Sequence, residues 1–446
     1  MNIAVVGTGY VGLVTGTCLA EIGHKVICQD SDGTKIKTLE KNHIPIYEPH
    51  LEELVVKNKR KGRLSFTGSL QKAIGPATAI FICVGTPSLE NGEADLFAIE
   101  RVTKEIAQFS DSYKLIVEKS TVPVQTGLWV EKTFKIYSLK NIDFDVASNP
   151  EFLREGQAIY DFLHPDRIVI GVRSKRAEDL LRQIYDPIIK CNFTCPIHKS
   201  CPEQQPVPFI VTDINSSELI KHASNSFLAM KVSFINAISD ICERTGASVK
   251  DVAYGMGLDK RIGSDFFRAG IGFGGSCFPK DLQAFIRIAE KYGYNFGLLK
   301  EVEKLNNERI ERIIEKLKEG LWLLKGKTIG ILGLSFKPDT DDTRFSPALK
   351  ISRSLLREGA TVKAYDPKAM VKAKNEVPEI VYRDDPYQVA DGAEALVICT
   401  EWDNFKELNW EKIKSLMVYP LIVDGRNMLD KEKMKKLGFE YMGMGI

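Results

Sequence analysis

The sequence predicts an α/β protein in which two doubly wound parallel sheets are joined by a long central helix. A strand, a glycine-rich turn, a helix and a second strand begin the chain, and a similar order restarts near residue 325. The longest helical pattern lies between them. At 446 residues the chain is too long to form a single domain with one hydrophobic core, since a domain averages ~150 residues. We expect an N-terminal domain over 1–205, a central helical domain over 206–318 and a C-terminal domain over 319–446.

The composition argues against several classes of partner. With 61 basic and 59 acidic residues the formal net charge is +2, which gives no reason to expect nucleic acid or a membrane surface. The chain enters an apolar strand at once, and no apolar run approaches the ~20 residues of a membrane span. Nine scattered cysteines favour a reducing compartment over a disulfide framework. We therefore expect a cytoplasmic protein.

The first glycine motif predicts a dinucleotide site. A strand over 2–6 leads into Gly7-Thr8-Gly9-Tyr10-Val11-Gly12, a helix over 13–22 and a second strand over 25–29 that ends at Asp30. In this Rossmann-like order the glycines let a pyrophosphate approach the helix N-terminus, and Asp30 accepts hydrogen bonds from a ribose. An acid there repels a 2′-phosphate, which favours NAD over NADP. The alternative is a glycine turn that binds no ligand.

Three further strands end in residues that suit a ligand crevice. They are predicted over 79–84, 115–118 and 145–148. Ligands of open α/β sheets collect at the carboxyl ends of strands, so Thr86, Thr121 and Glu151 are candidates to line the crevice. The hydroxyls have an equally good explanation as ordinary helix starts, because Pro123 follows closely. Glu151 has no such alternative.

The segment over 191–208, which follows a predicted helix over 177–189, contains an array of potential metal ligands. Cys191, Cys195, His198 and Cys201 form a C-x3-C-x2-H-x2-C pattern whose ligand types suit zinc. The spacing is compressed and prolines interrupt it, so a surface loop with thiols is the alternative.

A long helix is predicted over 213–244, with Gly246 as its stop. Such a helix spans ~50 Å, so we expect it to join two domains and to supply a subunit interface. Lys221 and Asn225 are four residues apart and share one face. Lys221 is either a partly buried site residue or a surface lysine whose stem covers apolar neighbours.

Cys277 is a candidate nucleophile. Glycines at 272, 274 and 275 precede it, and Pro279 suits the first turn of a following helix. A helix N-terminus and the charge of Lys280 both favour a thiolate. The alternative is a small core residue, as most cysteines of such a chain are. Helices are predicted over 280–292 and 296–317.

A second α/β unit begins near residue 325. Its strands are predicted over 328–332, 361–365, 395–399 and 421–423, with a helix over 347–358. The turn at 333–338 lacks GxGxxG, so we expect this unit to bind something other than a dinucleotide, with the nucleotide part of a substrate as the natural candidate.

Taken together, the motifs resemble a known family. Besides the glycine fingerprint they are STVP at 120–123, NPEFLREG at 149–156, ELIKHASN at 218–225, RIG at 261–263, GGSCFPKD at 274–281, GLSFKPDTDDTR at 333–344 and DGRN at 424–427. Their order resembles the UDP-glucose/GDP-mannose dehydrogenase family, and within it the UDP-glucose 6-dehydrogenases, over nearly the whole chain. The loop over 191–208 lies outside the family pattern, and Ala237 stands where a glutamate is common.

The resemblance implies an NAD-dependent four-electron oxidation of UDP-glucose to UDP-glucuronate that consumes two NAD. Cys277 matches the nucleophile, which forms a thiohemiacetal and then a thioester. Lys221 and Asn225 match the residues that stabilise the oxyanion, and Asp281 matches the carboxylate that accepts a proton with an ordered water. Thr121 and Glu151 match residues that place water and assist hydrolysis. No metal takes part in this chemistry.

The same resemblance assigns binding residues. The cofactor set is Gly7, Gly9, Tyr10, Val11, Gly12, Asp30, Lys35, Thr86, Thr121, Glu155, Lys280 and Arg344. The UDP-sugar set is Glu151, Phe152, Leu153, Glu155, Lys221, Asn225, Phe266, Gly274, Cys277, Phe336, Lys337 and Arg426. Arg261 is expected to reach in from a neighbouring subunit, which implies a homodimer that pairs through the long helix.

Three alternatives remain open at this stage. Oxidation of GDP-mannose or of a UDP-N-acetylhexosamine uses the same mechanism. A non-catalytic sensor of NAD and a nucleotide sugar has no need of Cys277, Lys221, Asn225 and Asp281 together. A single-step 3-hydroxyacid dehydrogenase needs no thiol.

Overall fold

A computed structural model describes residues 1–198 and 206–446. The chain divides into two compact units, Met1–Ser224 and Asn225–Ile446. Within these described ranges, no helix combines the length and apolarity that crossing a membrane requires.

The first unit contains a sheet of eight strands, counted over the residues described. The strands are β1 (Asn2–Val6), β2 (Lys25–Gln29), β3 (Leu64–Thr67), β4 (Ala79–Ile82), β5 (Lys114–Glu118), β6 (Phe144–Ser148), β7 (Ile168–Gly171) and β8 (Phe209–Thr212). The helices are α1 (Tyr10–Glu21), α2 (Gly33–Glu40), α3 (Leu51–Arg60), α4 (Leu70–Ile74), α5 (Phe97–Phe109), α6 (Thr126–Tyr137), α7 (Ala158–Leu163) and α8 (Lys175–Ile189).

The strand order is β3-β2-β1-β4-β5-β6-β7-β8, which confirms the predicted doubly wound sheet. In the described part of the sheet every neighbouring pair is parallel except β6 and β7, which meet in antiparallel orientation at Ser148 and Gly171. The sequence did not predict this reversal. It lies away from β1 and β4, where the strand order changes direction and where ligands of such sheets bind.

β1 illustrates why this sequence forms a central strand. Ile3 and Val5 pack into one hydrophobic core, whereas Ala4 and Val6 pack into another on the opposite face. All four are buried because helices cover both faces of a parallel sheet. A continuous apolar run is therefore favoured over an alternating pattern.

The predicted long helix is confirmed as α9 (Ile214–Thr245), which has 32 residues and a length of ~48 Å. Asp213 caps its start, since its Oδ1 accepts the Ser216 N–H at 2.9 Å. Gly246 follows its end with φ of +75°, a conformation that glycine adopts without strain. The division between the two units falls within α9, after Ser224.

The second unit begins with helices and continues into a parallel sheet. After α9 come α10 (Val249–Gly257), α11 (Phe278–Lys291) and α12 (Gly297–Leu321). The strands are β9 (Thr328–Leu332), β10 (Thr361–Tyr365), β11 (Val381–Tyr382), β12 (Ala395–Ile398), β13 (Leu421–Asp424) and β14 (Glu440–Met442). The remaining helices are α13 (Pro347–Arg357), α14 (Met370–Glu376), α15 (Pro386–Ala390), α16 (Asp403–Lys406), α17 (Trp410–Leu416) and α18 (Lys431–Lys436). The strand order β11-β10-β9-β12-β13-β14 repeats the winding of the first sheet on a smaller scale.

Candidate active site

The three glycines of the first turn have different tasks. Gly7 has φ of +98°, and a Cβ on it would lie 2.7 Å from the Cys83 carbonyl oxygen. A Cβ on Gly12 would lie 1.9 Å from the Gly7 oxygen, so close packing of α1 on the turn excludes any side chain. A Cβ on Gly9, in contrast, would meet no described atom within 4 Å. Gly9 therefore leaves open space at the N-terminus of α1, as a bound pyrophosphate requires.

Asp30 is held as an anion at the end of β2. Its Oδ2 accepts both the N–H and the hydroxyl of Thr8 at 2.8 Å, and its Oδ1 accepts the Asp32 N–H at 2.9 Å. Burial raises the pKa of Asp30, but these hydrogen bonds outweigh burial and lower the pKa below its ordinary value. Lys35 Nζ lies 3.8 Å from Oδ2. The predicted acid is therefore ionised and fixed in position for a ribose.

A carboxylate that the sequence did not single out connects Tyr10 to the NPEFLREG segment. Glu48 accepts the Gly156 N–H at 2.6 Å and the Ala158 N–H at 2.7 Å, and so caps the start of α7. The Tyr10 hydroxyl accepts the same Gly156 N–H at 2.7 Å. Glu155 is buried beside this contact. The glycine fingerprint and the predicted substrate segment therefore support each other within the first unit.

Lys221 is buried, which excludes the alternative of a surface lysine. Its side chain is 4% exposed, and its Nζ lies 2.9 Å from Glu151 Oε1. The other oxygen of Glu151 accepts the Leu153 N–H at 2.6 Å, and the Phe152 ring centroid lies 5.4 Å from the lysine nitrogen. Four predicted residues thus form one cluster.

A second buried lysine, Lys119, lies near this cluster and was missed by the sequence reasoning. Its Nζ donates to the side-chain and main-chain oxygens of Asn149 at 3.2 and 3.3 Å. Burial lowers the pKa of Lys119 to about 8, while the charge of Glu151 opposes that shift. Its position directly after β5 was the available signal, since crevice residues follow strand ends.

The hydroxyl of Thr86 ties the ends of two strands. It donates to the main-chain oxygen of Thr121 at 2.8 Å, and the Ser120 hydroxyl donates to the Val84 oxygen at 2.7 Å. Thr86 and Thr121 therefore meet, as the rule for strand ends predicts.

Two buried carboxyl groups lie behind these strand ends. Glu218 accepts the N–H groups of Gln125 and Gly127 at 2.6 and 2.8 Å. Burial raises the pKa of Glu218 to about 7. Burial, and then the charge of Glu218, raise the pKa of the fully buried Glu118 well above its ordinary value. The pair therefore retains a proton at neutral pH.

In the second unit Cys277 lies where the sequence predicted. It is the N-cap residue of α11, with Pro279 in the first turn. The Ser276 hydroxyl oxygen lies 3.7 Å from its Sγ. The helix dipole therefore acts directly on the thiol.

Close packing leaves no room for side chains on the glycines before Cys277. A Cβ on Gly274 would lie 2.5 Å from the Phe345 oxygen, and one on Gly275 would lie 2.8 Å from the Phe336 ring. Gly272 has φ of +90° and packs against Asn306 in the same way. Phe336 and the main chain of Phe345 therefore pack against the backbone that leads to the thiol.

Asn306, another residue that the sequence did not indicate, anchors this segment. Its Oδ1 accepts the Phe273 N–H at 2.8 Å, and its Nδ2 donates to the Phe273 oxygen at 3.1 Å. Arg309, one turn later, donates to the Gly270 oxygen at 3.1 Å. α12 therefore fixes the backbone that leads to Cys277.

Asp281 forms a buried hydrogen-bonded group one turn after Cys277. Asn225 Nδ2 donates to its Oδ2 at 2.6 Å, and Lys280 Nζ lies 2.7 Å from its Oδ1. Asp281 is 1% exposed. Lys280 and Asp281, to which the resemblance assigns separate roles, are therefore also paired with each other.

The remaining predicted residues of the second unit have various partners. Arg426 donates to the oxygens of Phe336 and Cys399, each at 2.8 Å. Lys337 Nζ lies 5.8 Å from the Phe336 ring centroid. The others are Arg344, which pairs with Asp342; Phe266, whose ring centroid lies 6.1 Å from that of Phe278; and Arg261, which pairs with Asp259 and is 88% exposed.

Three family models match the chain in order. The NAD binding domain of the UDP-glucose/GDP-mannose dehydrogenase family matches residues 1–189, the central domain matches 215–308 and the UDP binding domain matches 330–431. The chain is 46% identical over 445 residues to UDP-glucose 6-dehydrogenase TuaD of Bacillus subtilis (strain 168), covering 100% of this chain and 93% of that protein. It is 44% identical over 448 residues to a UDP-glucose 6-dehydrogenase of Rickettsia felis, covering 100% and 96%.

Solved structures are similar over the same length. A UDP-glucose dehydrogenase from the archaeon Pyrobaculum islandicum aligns with a TM-score of 0.90 at 37% identity, covering 99% of this chain and 97% of that one. A UDP-D-ManNAc dehydrogenase from Pyrococcus horikoshii aligns with a TM-score of 0.86 at 27% identity, covering 100% and 99%.

Proposed function

The chain belongs to the UDP-glucose/GDP-mannose dehydrogenase family and is an NAD-dependent oxidoreductase, and we propose that its substrate is UDP-glucose. The proposed reaction takes UDP-glucose, two NAD⁺ and water to UDP-glucuronate, two NADH and three protons. The observation that carries the proposal is Cys277 at the start of α11, one turn before a buried Asp281 hydrogen-bonded to Asn225.

NAD is the cofactor, and the first unit suits it. Gly9 leaves room beside the N-terminus of α1, and the ionised Asp30 has a fixed orientation toward a ribose. Tyr10, Val11, Lys35 and Thr86 belong to the same proposed set. When bound, the nicotinamide accepts one hydride in each oxidation.

In the first oxidation the C6 hydroxyl loses a proton and the carbon loses a hydride, which leaves an aldehyde. We assign Lys221 to the oxygen that becomes negative. Its burial and its pairing with Glu151 support this role, because a cation in a dry site stabilises an oxyanion by a few kcal/mol. Asp281, acting with a water molecule, accepts the proton.

In the second oxidation the Cys277 thiolate attacks the aldehyde carbon, a C–S bond forms and the product is a thiohemiacetal. Loss of a second hydride from C6 gives a thioester. Covalent capture holds an aldehyde that would otherwise leave to solvent, so one site performs both steps. Asn225, which is buried on α9, is the proposed hydrogen-bond donor to the oxyanion.

Hydrolysis completes the cycle. Water adds to the thioester carbonyl, the C–S bond breaks and the thiolate of Cys277 leaves, so that UDP-glucuronate is released. Glu151 and Thr121 are the residues assigned to placing this water. Glu151 already has one oxygen on Lys221 and the other on the Leu153 N–H, which supports a fixed orientation.

We propose that the following residues bind the UDP-sugar. The candidates are Phe152, Leu153, Glu155, Phe266, Gly274, Phe336, Lys337 and Arg426, with Arg261 supplied by a neighbouring subunit. Arg426 and Lys337 suit the diphosphate, because guanidinium and ammonium groups pair well with phosphate oxygens. A cytoplasmic location fits an enzyme whose thiol must stay reduced.

Measuring NADH formed per nucleotide sugar consumed tests the proposal. With UDP-glucose we expect a ratio of about two, because aldehyde capture couples both hydride transfers. UDP-N-acetylmannosamine and GDP-mannose serve as comparison substrates. A ratio of one with UDP-glucose, or faster turnover of either comparison substrate, would contradict the assignment.

We also propose a homodimer that pairs through α9. Phe227, Phe234 and Ile241 are 58%, 47% and 56% exposed, and their seven-residue spacing puts them on one face of the helix. An apolar stripe of this kind is stabilised by burial against a second copy. Sedimentation velocity should report a dimer for the wild type and a monomer for Phe234→Asp.

Phe97→Asp is the matched control for this experiment. Phe97 is 68% exposed at the start of α5, away from the stripe in sequence, so its replacement should leave the dimer intact. A monomeric wild type, or an unchanged Phe234→Asp variant, would exclude the proposed interface.

A further inference from the structure

The end of α7 and the segment after α8 bring three potential metal ligands together. His164 Nε2 lies 3.2 Å from Cys195 Sγ, and that sulfur lies 3.7 Å from His198 Nδ1. The three ligand atoms all lie within 4.8 Å of one another. His164 precedes Cys195 by 31 residues, so the chain fold creates this group.

The distances fit a tetrahedral ion. With Zn–S of about 2.3 Å and Zn–N of about 2.05 Å, tetrahedral geometry separates sulfur from nitrogen by about 3.6 Å. The two observed separations, 3.2 and 3.7 Å, lie on either side of that value. Imidazole and thiolate together favour zinc over magnesium or calcium, which prefer oxygen ligands.

The backbone around Cys195 favours the thiolate that a metal requires. The N–H groups of Ile197 and His198 both point at the sulfur, with nitrogen-to-sulfur distances of 3.4 Å. Successive N–H groups that converge on one atom form a site for negative charge. This arrangement is independent of the two imidazole rings and indicates a ligand sulfur.

Aromatic rings hold the two imidazoles in place. The Tyr160 ring centroid lies 5.1 Å from that of His164 and 5.7 Å from that of His198. Phe193 contacts the His164 ring with a centroid distance of 5.6 Å. When the ligand rings are already fixed, less conformational entropy is lost on binding an ion.

We propose that His164, Cys195 and His198 bind one zinc ion. Relative to the predicted array, Cys195 and His198 are retained, His164 joins them, Cys191 is not one of the three, and Cys201 lies outside the described residues. The ion would link the end of α7 to the segment that follows α8. Glu48 caps the start of α7, so Glu48 and the ion would together stabilise both ends of the same short helix.

Elemental analysis of the full-length protein, purified without a histidine tag and dialysed against metal-free buffer, tests the proposal. We expect about one zinc per chain in the wild type. In Cys195→Ser we expect the zinc content per chain to be lower by roughly tenfold or more. Cys277→Ser is the matched control, because it removes a thiol that the proposed site does not use and should keep the zinc.

A second measurement keeps the proposal testable if Cys195→Ser folds poorly. Cobalt(II) added to metal-free wild type should give a thiolate-to-cobalt absorption band in the near ultraviolet, which Cys277→Ser retains and His164→Gln weakens. Wild type that holds well under one zinc after incubation with zinc, and shows no cobalt band, would overturn the proposal. Equal zinc content in the wild type and a folded Cys195→Ser would do the same.

Discussion

The two sheets use the same backbone module for different purposes. After the first strand of each sheet comes a glycine with positive φ, +98° at Gly7 and +91° at Gly333. The Gly7 N–H donates to the Gln29 oxygen at 2.7 Å, and the Gly333 N–H donates to the Tyr365 oxygen at 2.9 Å. An aspartate follows the second strand in both. The modules are therefore equivalent in backbone, and their side chains decide what they bind.

The two aspartates differ in how many donors they already satisfy. Asp366 is 1% exposed, and its Oδ2 accepts the N–H groups of Leu334 and Ser335 and the indole N–H of Trp402. Its Oδ1 accepts two further N–H groups. Asp30 accepts three hydrogen bonds, from the N–H and hydroxyl of Thr8 and from the N–H of Asp32. Asp366 is thus a structural anchor, and Asp30 is suited to a ligand.

The helix after the turn differs as well. α1 begins at Tyr10, directly after Gly9, whereas α13 begins only at Pro347. The position that corresponds to Gly9 is Ser335, whose hydroxyl donates to Asp366 at 3.2 Å. Without an open glycine and a helix N-terminus, the second turn lacks the features that bind a pyrophosphate. This supports the expectation that the second unit does not bind a dinucleotide in the usual way.

The comparison predicts its largest effect at Asp366. Replacing Asp366 by Ala leaves at least five donors, four of them buried, without their acceptor, so we expect the free energy of unfolding to fall by ~3–5 kcal/mol. Urea titration followed by tryptophan fluorescence measures this, since Trp402 contacts the substituted position.

Asp30→Ala is the matched control, because it removes the same group from the equivalent position. It should lower the free energy of unfolding by less than Asp366→Ala does, by about 1–2 kcal/mol, since only three donors depend on it. Equal destabilisation by the two substitutions would show that the aspartates have the same structural role.

The next prediction concerns the pH dependence of stability and contrasts the acids at the ends of β5 and β13. Asp424 accepts N–H groups from Arg426 and Leu429 and the hydroxyl of Tyr441, whereas Glu118 faces a second acid, Glu218. The raised pKa of Glu118 means that the folded protein keeps a proton that the unfolded chain releases above about pH 4.3. Stability should therefore fall as pH rises above that value, by about 1.4 kcal/mol per pH unit for each retained proton.

Glu118→Gln tests this dependence, because a neutral amide carries no proton to lose. The slope of unfolding free energy against pH is measured between about pH 5 and pH 8. It should become less steep by about 1.4 kcal/mol per pH unit, the contribution of one retained proton. A slope identical to that of the wild type would mean that Glu118 is ionised in the folded protein.

The smallest effect concerns cofactor affinity. Asp30→Ala should weaken NAD binding by roughly 10–100-fold, since a hydrogen bond to a charged group contributes about 1.5–3 kcal/mol. Isothermal titration calorimetry measures it, and affinity for UDP-glucose should stay unchanged. Unchanged NAD affinity would remove the distinction between Asp30 and Asp366.

The sequence predicted those features that local patterns encode. The glycine turn, the long helix and the N-cap position of Cys277 all follow from spacing between neighbouring residues. The packing of Gly274 and Gly275 could not be predicted, because it depends on Phe336 and Phe345 from a distant segment. His164 was missed for the same reason, since only the folded chain brings it to Cys195 and His198.

The central claim is that Cys277 holds the sugar covalently through the second oxidation, and trapping the thioester tests it most directly. Glu151→Gln, mixed with UDP-glucose and NAD and quenched in acid, should accumulate protein heavier by one UDP-glucuronoyl group, and peptide mapping should locate the group on Cys277. Cys277→Ser should show no adduct and no steady turnover. Full turnover by Cys277→Ser, or an adduct on another residue, would contradict the account.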